Sequence, residues 1–220
     1  CIRDSVITVQ GGTNFPHEQS LQKIFLLERP TTDIYCLLEG ERSCANIIKR
    51  VLENKGNRSK IFDKPIDGCV FIKPESRETG ENIFMQGNYL ERIKDLDEIP
   101  SPYLSGLLDK FFDGNLTPFI ETNRGCPFTC SFCHTGSDYF HKLNKFSEDR
   151  VKKEISYIGK KASNLGITNL HMADVNFGMY PQDRTTCELL LESKKKFNWP
   201  LQIMATTGKN SKKRVTEITN

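Results

Sequence analysis

The chain has 220 residues, 37% of them hydrophobic, and its 31 basic and 28 acidic side chains leave a formal net charge of +3. That is enough apolar material for one large core or two small ones, and too even a charge balance to mark a nucleic-acid or membrane-surface binder. No run approaches the roughly 18 apolar residues of a membrane span. No basic-then-apolar leader is visible, so a cytoplasmic protein is expected. The first residue is Cys1 and not Met, which points to an internal piece of a longer chain.

Residues 6–12 (Val-Ile-Thr-Val-Gln-Gly-Gly) read as a strand running into a glycine turn at Gly11 and Gly12. A polar, amphipathic stretch follows, and residues 33–38 form a second strand. Gly40 and Glu41 then open a helix with Ile47, Ile48, Val51 and Leu52 on one face. Strand–helix–strand–helix order is the grammar of a doubly wound sheet, here with too few strands for a whole domain. Residues 54–115 are rich in Lys, Asp, Glu, Pro and Gly, with one apolar patch at 68–73, and read as a connector between two domains. Pro100 and Pro102 forbid a helix interior there.

Alternation resumes with a strand at 117–122, followed by a cysteine-rich loop. A helix over 147–165 has Ser147 as N-cap, Glu148 and Asp149 in its first turn, Val151, Ile155 and Ile158 as its buried stripe, and Gly166 as its stop. A strand at 167–173, a helix at 183–197 carrying Leu189, Leu190 and Leu191, a strand at 201–206 and a helix from Ser211 complete three βα units in a row. Consecutive βα units predict a parallel sheet in chain order, with the cysteine loop, Asp174 and Thr207 on one edge and the last strand's outer edge unpaired. Lys194, Lys195 and Lys196 read as a solvated helix end, and Trp199 and His171 as structural.

The cysteines are Cys1, Cys36, Cys44, Cys69, Cys126, Cys130, Cys133 and Cys187. Cys36 and Cys69 lie in apolar runs and read as small buried hydrophobes. Only Cys126, Cys130 and Cys133 cluster, as C-x-x-x-C-x-x-C directly after a strand. Three thiolates on a tight loop can each bind one iron of a 4Fe–4S cluster and leave the fourth iron open to another ligand. Their sulfurs are expected to converge even without metal. Zinc on Cys126, Cys130, Cys133 and His134 is a rival, weakened because adjacent Cys133 and His134 suit one tetrahedral ion poorly. Cys130 to His134 also reads literally as C-x-x-C-H, a haem-attachment pattern, and three buried thiols with no ligand are the remaining alternative.

The segment Glu121-Thr122-Asn123-Arg124-Gly125-Cys126-Pro127-Phe128-Thr129-Cys130-Ser131-Phe132-Cys133 resembles the radical S-adenosylmethionine superfamily, and within it the enzymes that carry a cobalamin-binding domain in front. The phrase Leu96-Asp97-Glu98-Ile99-Pro100-Ser101-Pro102-Tyr103 and the turns at Gly11-Gly12 and Gly40-Glu41 resemble that arrangement too. The resemblance implies a 4Fe–4S cluster on the three cysteines, S-adenosylmethionine on its open iron, and reductive cleavage to a 5′-deoxyadenosyl radical. It implies that Phe132 lies against the adenine, and that Asp174 and Asn176 lie near the S-adenosylmethionine amino group. Gly11, Gly12, Gly40 and Glu41 would lie against cobalamin in the full-length protein. The implied fold is the C-terminal part of a doubly wound, Rossmann-like cobalamin-binding domain (1–53), the connector (54–115), and the first half of a (β/α)6 partial TIM barrel (116–220). The implied chemistry is methylation at an unactivated carbon of a small-molecule substrate, with a flavodoxin or ferredoxin as electron donor and no nucleic acid or membrane partner. A radical enzyme that does not use cobalamin, and a zinc-stabilised binding module, are the alternatives.

Overall fold

The structure is a computed structural model that describes residues 6–12, 14–208 and 212–219; Cys1 and Ser211 lie outside the described residues. It is a mixed α/β fold of two compact units, Cys1–Arg92 and Ile93–Asn220.

The first unit contains β1 (Val9–Gln10), α1 (Gln19–Leu27), β2 (Ile34–Cys36), α2 (Gly40–Glu53), α3 (Arg58–Ile61), β3 (Cys69–Ile72), α4 (Pro74–Glu78) and β4 (Phe84–Gln86). Its sheet runs β1-β2-β3-β4. Every residue of β2 and β3 is buried, because both faces of these strands are covered. Ile34, Cys36, Cys69 and Phe71 pack with Ile47 of α2 and with Ile61 and Phe62. Tyr35, Val70 and Ile72 alternate to the other face and pack with Leu26 of α1. The expected α2 stripe holds only in part: Ile47 is buried and Val51 half-buried, but Ile48 and Leu52 face solvent.

Only β1 and β2, the two strands expected within 1–53, are parallel; β3 and β4 return antiparallel, so the sheet of this unit is mixed. The connector expected over 54–115 is not one segment. Its apolar patch is β3, a central strand, and β4 extends the same sheet. The break falls at Arg92/Ile93, and the rest of the segment folds into the second unit. Charged and turn-forming residues around a four-residue strand hid it, since so short a buried run carries no periodicity.

The second unit contains β5 (Phe119–Ile120), β6 (Asn123–Arg124), β7 (Asn144–Lys145), α5 (Glu148–Asn164), β8 (Asn169–Phe177), α6 (Pro181–Phe197), β9 (Gln202–Thr207) and α7 (Lys212–Thr219). The sheet β5-β8-β9 is parallel and in chain order, as expected. Ser147 caps α5 by accepting the Arg150 N–H at 3.1 Å, and Val151, Ile155 and Ile158 face inward. They share a core with Leu170, Met172, Phe177, Leu190 and Trp199. α5 and α6 approach closely at Gly159, where an added Cβ would lie 2.6 Å from the Ser193 Oγ. The proline-containing phrase covers the free edge of β5. The Tyr103 hydroxyl accepts the Phe119 N–H at 3.0 Å and donates to the Phe119 carbonyl at 2.9 Å. Ser101 donates to Glu154 of α5, and Asp97 accepts the Ser147 N–H. Among the described residues nothing pairs with the outer edge of β9, where Ile203 and Met204 are exposed.

Candidate metal centre

The cysteine segment leaves the sheet just after β5. β6 and β7 pair antiparallel, Asn123 with Lys145 and Arg124 with Asn144, and so close the root of a loop over residues 125–143. The Cys126 N–H bonds the Phe140 carbonyl at 2.8 Å and continues that closure. Gly125 is required here. Its φ is +126°, and a Cβ would fall 2.3 Å from the Lys142 carbonyl oxygen. Further out, the Cys133 N–H bonds the Cys130 carbonyl and the Gly136 N–H bonds the Cys133 carbonyl, both at 3.0 Å. Gly136 packs so tightly on the Cys130 backbone that a Cβ would lie 2.4 Å from its oxygen. All three cysteines therefore sit on backbone fixed by turns.

β8 supplies the floor. Asp174, 1% exposed, accepts three hydrogen bonds: from Thr122 N (2.7 Å), Thr122 Oγ1 (2.6 Å) and Asn123 N (3.0 Å). Burial raises its carboxyl above the ordinary range, and these bonds pull it back. Two residues on, the Asn176 amide donates to the Cys126 sulfur at 3.2 Å. Burial, with the Cys126 sulfur adding to it, pushes the Tyr180 phenol up to about 12. Asp183, at the start of α6, accepts the Gly178 and Tyr180 N–H groups, both at 2.8 Å, and fixes the turn after β8.

The expected convergence of the three sulfurs is not found. Among the described residues no three His, Cys, Asp or Glu side chains lie together as a metal-binding set. Cys126 is buried beneath the loop, whereas Cys130 and Cys133 are exposed, and the Cys133 sulfur is 3.1 Å from the Thr135 hydroxyl. The sulfurs have separate surroundings: the Asn176 amide stands by Cys126 and the Thr135 hydroxyl by Cys133. The donor set nonetheless fits an iron–sulfur cluster. It offers three soft ligands on one turn-braced loop, two of them open to solvent, with an amide N–H on the third. Phe132 is 88% exposed beside them. Thr207 pairs with Phe177 at the end of β8, on the edge that carries the loop.

In the first unit, parallel β1 and β2 bring Gly11, Gly12, Gly40 and Glu41 to one sheet edge, just beyond the strands' C-terminal ends. Gly12 has φ +120°, and nothing lies within 4 Å of a Cβ built on Gly12 or Gly40. Gly12 and Gly40 therefore leave room for close backbone approach by a ligand, whereas a Cβ on Gly11 would lie 3.5 Å from the Cys36 Cβ.

Sequence reasoning missed Thr122, Asn123, Asp183 and Tyr103. Thr122 and Asn123 carried a weak signal, as polar residues between a strand and the first cysteine. The sequence marks Asp183 only as the first residue of a helix and Tyr103 only as the end of the proline-containing phrase, neither as a hydrogen-bonding group.

The curated proteins similar to this chain include several methyltransferases, one of them a cobalamin-dependent radical S-adenosylmethionine enzyme. The cobalamin-dependent radical SAM methyltransferase TokK of Streptomyces tokunonensis is 28% identical over 225 residues, which cover 97% of this chain and 30% of that protein. The cobalamin-dependent S-adenosylmethionine radical enzyme OxsB, solved with aqua-cobalamin and S-adenosylmethionine bound, shares the fold at a TM-score of 0.55 and 20% identity, over 84% of this chain and 24% of that one. The radical S-adenosylmethionine methyltransferase TsrM from Kitasatospora setae, solved with cobalamin and a [4Fe-4S] cluster, shares it at a TM-score of 0.50 and 14% identity, over 86% and 34%. The chain spans about 30% of the length of TokK and of a second curated methyltransferase. No protein-family model matches it.

Proposed function

We propose that this chain carries the cluster-binding part of a cobalamin-dependent radical S-adenosylmethionine methyltransferase, together with one edge of its cobalamin-binding domain. The observation that carries the reading is the cysteine loop. Its three thiols stand on a segment closed by the β6–β7 ladder and anchored through Asp174 to the C-terminal end of β8, in a chain aligned over 97% of its length with such an enzyme.

Cys126, Cys130 and Cys133 would hold a 4Fe–4S cluster as thiolates. The chemistry supplied by the bound groups is reductive cleavage of S-adenosylmethionine to a 5′-deoxyadenosyl radical and delivery of a methyl group from cobalamin to an unactivated carbon of a small-molecule substrate. The chain's own residues do the positioning. Asp174 holds the backbone at the root of the loop, so the first cysteine enters from a fixed point. The exposed ring of Phe132 offers a face for the adenine, and Asn176 stands at the strand end nearest Cys126. Gly11, Gly12, Gly40 and Glu41 form the edge that would receive cobalamin. The first unit is read as the late part of a Rossmann-like domain and the parallel β5-β8-β9 sheet as the start of a partial barrel. The electron would come from a flavodoxin or ferredoxin.

The test uses the complete protein, reconstituted anaerobically with iron and sulfide and then given S-adenosylmethionine, cobalamin and a low-potential reductant. The reading expects a brown protein that binds cobalamin and forms 5′-deoxyadenosine. A colourless protein with stoichiometric zinc would overturn it.

A further inference from the structure

β8 does not keep step with β9 to its end. The pairing runs from Asn169 with Gln202 to Met172 with Ala205, and resumes only at Phe177 with Thr207. Five steps along β8 therefore match two along β9, and residues 173–176 bulge from the ladder. A bulge re-aims the side chains it carries. This one contains both residues that grip the cysteine segment. Asp174 binds the backbone at the loop root, and Asn176, on the same side two residues later, reaches the Cys126 sulfur at 3.2 Å.

That second contact has a definite chemical sense. A thiolate ligand has no proton to give, so the amide must turn its N–H toward the sulfur. Cys126 is buried and Asn176 half-buried, so water competes poorly for the bond and its electrostatic effect is large. An N–H directed at a ligating sulfur withdraws electron density from it and eases reduction of the iron it binds. Cys130 and Cys133 are exposed, so the asymmetry falls on one ligand of the three.

We propose that Asn176 is a positioning residue for the Cys126 ligand: its amide N–H fixes the sulfur and raises the reduction potential of a 4Fe–4S cluster held by the loop. The proposal rests on the cluster reading above and goes beyond it, because it assigns Asn176 to the cluster's sulfur ligand and its potential.

The experiment uses the complete protein, grown with 15N-labelled asparagine, reconstituted anaerobically and reduced with titanium(III) citrate. Pulsed EPR then looks for a weak 15N coupling to the reduced cluster, and a redox titration gives its midpoint potential. The wild-type protein should show the coupling. Asn176→Leu, which lacks a donor, should lose it and move the midpoint to a more negative value at unchanged iron content. Asn176→Gln, whose donor is unlabelled, should also lose the coupling but lie nearer the wild-type midpoint. If Asn176→Leu assembles no cluster, the wild-type and Asn176→Gln spectra decide. A full cluster without that coupling, or with one that survives in Asn176→Gln, overturns the proposal alone, as does an unchanged midpoint in Asn176→Leu. A complete protein that assembles no cluster removes the function reading and this proposal with it.

Discussion

Cys36 and Cys69 in the first unit and Cys126, Cys130 and Cys133 in the second are the same side chain put to opposite uses. Cys36 and Cys69 face each other directly across the antiparallel β2–β3 ladder, both buried. The hydrogen bond with Cys36, and then burial, push the Cys69 thiol well above its ordinary range, so it stays a neutral, small hydrophobe. The other three stand on a loop bent by Gly125 and Gly136, two of them in solvent, with their backbone pinned and their sulfurs not gathered. A strand fixes where a thiol lies by packing it away. A braced loop leaves the thiol available and lets a ligand do the gathering.

The largest effect that would break this comparison is on chemistry. In the complete protein, Cys126→Ala, Cys130→Ala or Cys133→Ala is expected to abolish cleavage of S-adenosylmethionine, whereas Cys36→Ala, Cys44→Ala or Cys187→Ala should leave it intact. Measuring 5′-deoxyadenosine formation separates the two sets, and full activity in Cys126→Ala would defeat the division.

Next comes the brace under the loop. Asp174→Ala strands three buried donors, on Thr122 and Asn123, and should cost roughly 2–4 kcal/mol of stability in the second unit. Urea unfolding followed by probes in that unit measures it, and a loss under 1 kcal/mol would mean that the loop root is held by something else.

The turn after β8 gives a pH-dependent version of the same test. Burial raises the Asp183 carboxyl to about 6 from an ordinary 3.8, and its Oδ1 has no partner. Below the unfolded value the group is protonated in both states and costs nothing. As pH rises toward 6, the unfolded chain releases its proton first, so folding stability falls, by on the order of 2–3 kcal/mol in all. Asp183→Asn removes that fall while keeping an acceptor for the Gly178 and Tyr180 N–H groups. The variant should therefore gain on the parent between pH 4 and pH 7, and a constant difference across that range would contradict the assignment. Smallest of all, Cys69→Ala should cost about 1–2 kcal/mol in the first unit through lost packing, with no change in iron binding.

What the sequence made legible was local. Ser147, the acids after it and Gly166 mark α5 because capping is decided within a few residues. The parallel order of β5, β8 and β9 followed from consecutive βα units. β3 was not legible, because four buried residues among charged turns carry no period. Nor was the reach of the phrase ending at Tyr103, whose partner Phe119 is 16 residues away in a different element. In the candidate site, spacing and resemblance single out the three cysteines and Phe132. Asp174 and Asn176 were marked as residues at a strand end, but their partners Thr122, Asn123 and Cys126 lie about 50 residues earlier, joined to them only by the fold.

The central claim is that Cys126, Cys130 and Cys133 form a single ligand set for an iron–sulfur cluster. The most direct measurement is the iron and acid-labile sulfide content of the complete protein after anaerobic reconstitution, compared with a variant in which all three cysteines are alanine. The account predicts four irons and four sulfides that are lost together in the triple variant. An undiminished cluster in that variant, or one zinc and no sulfide in the parent, would contradict it.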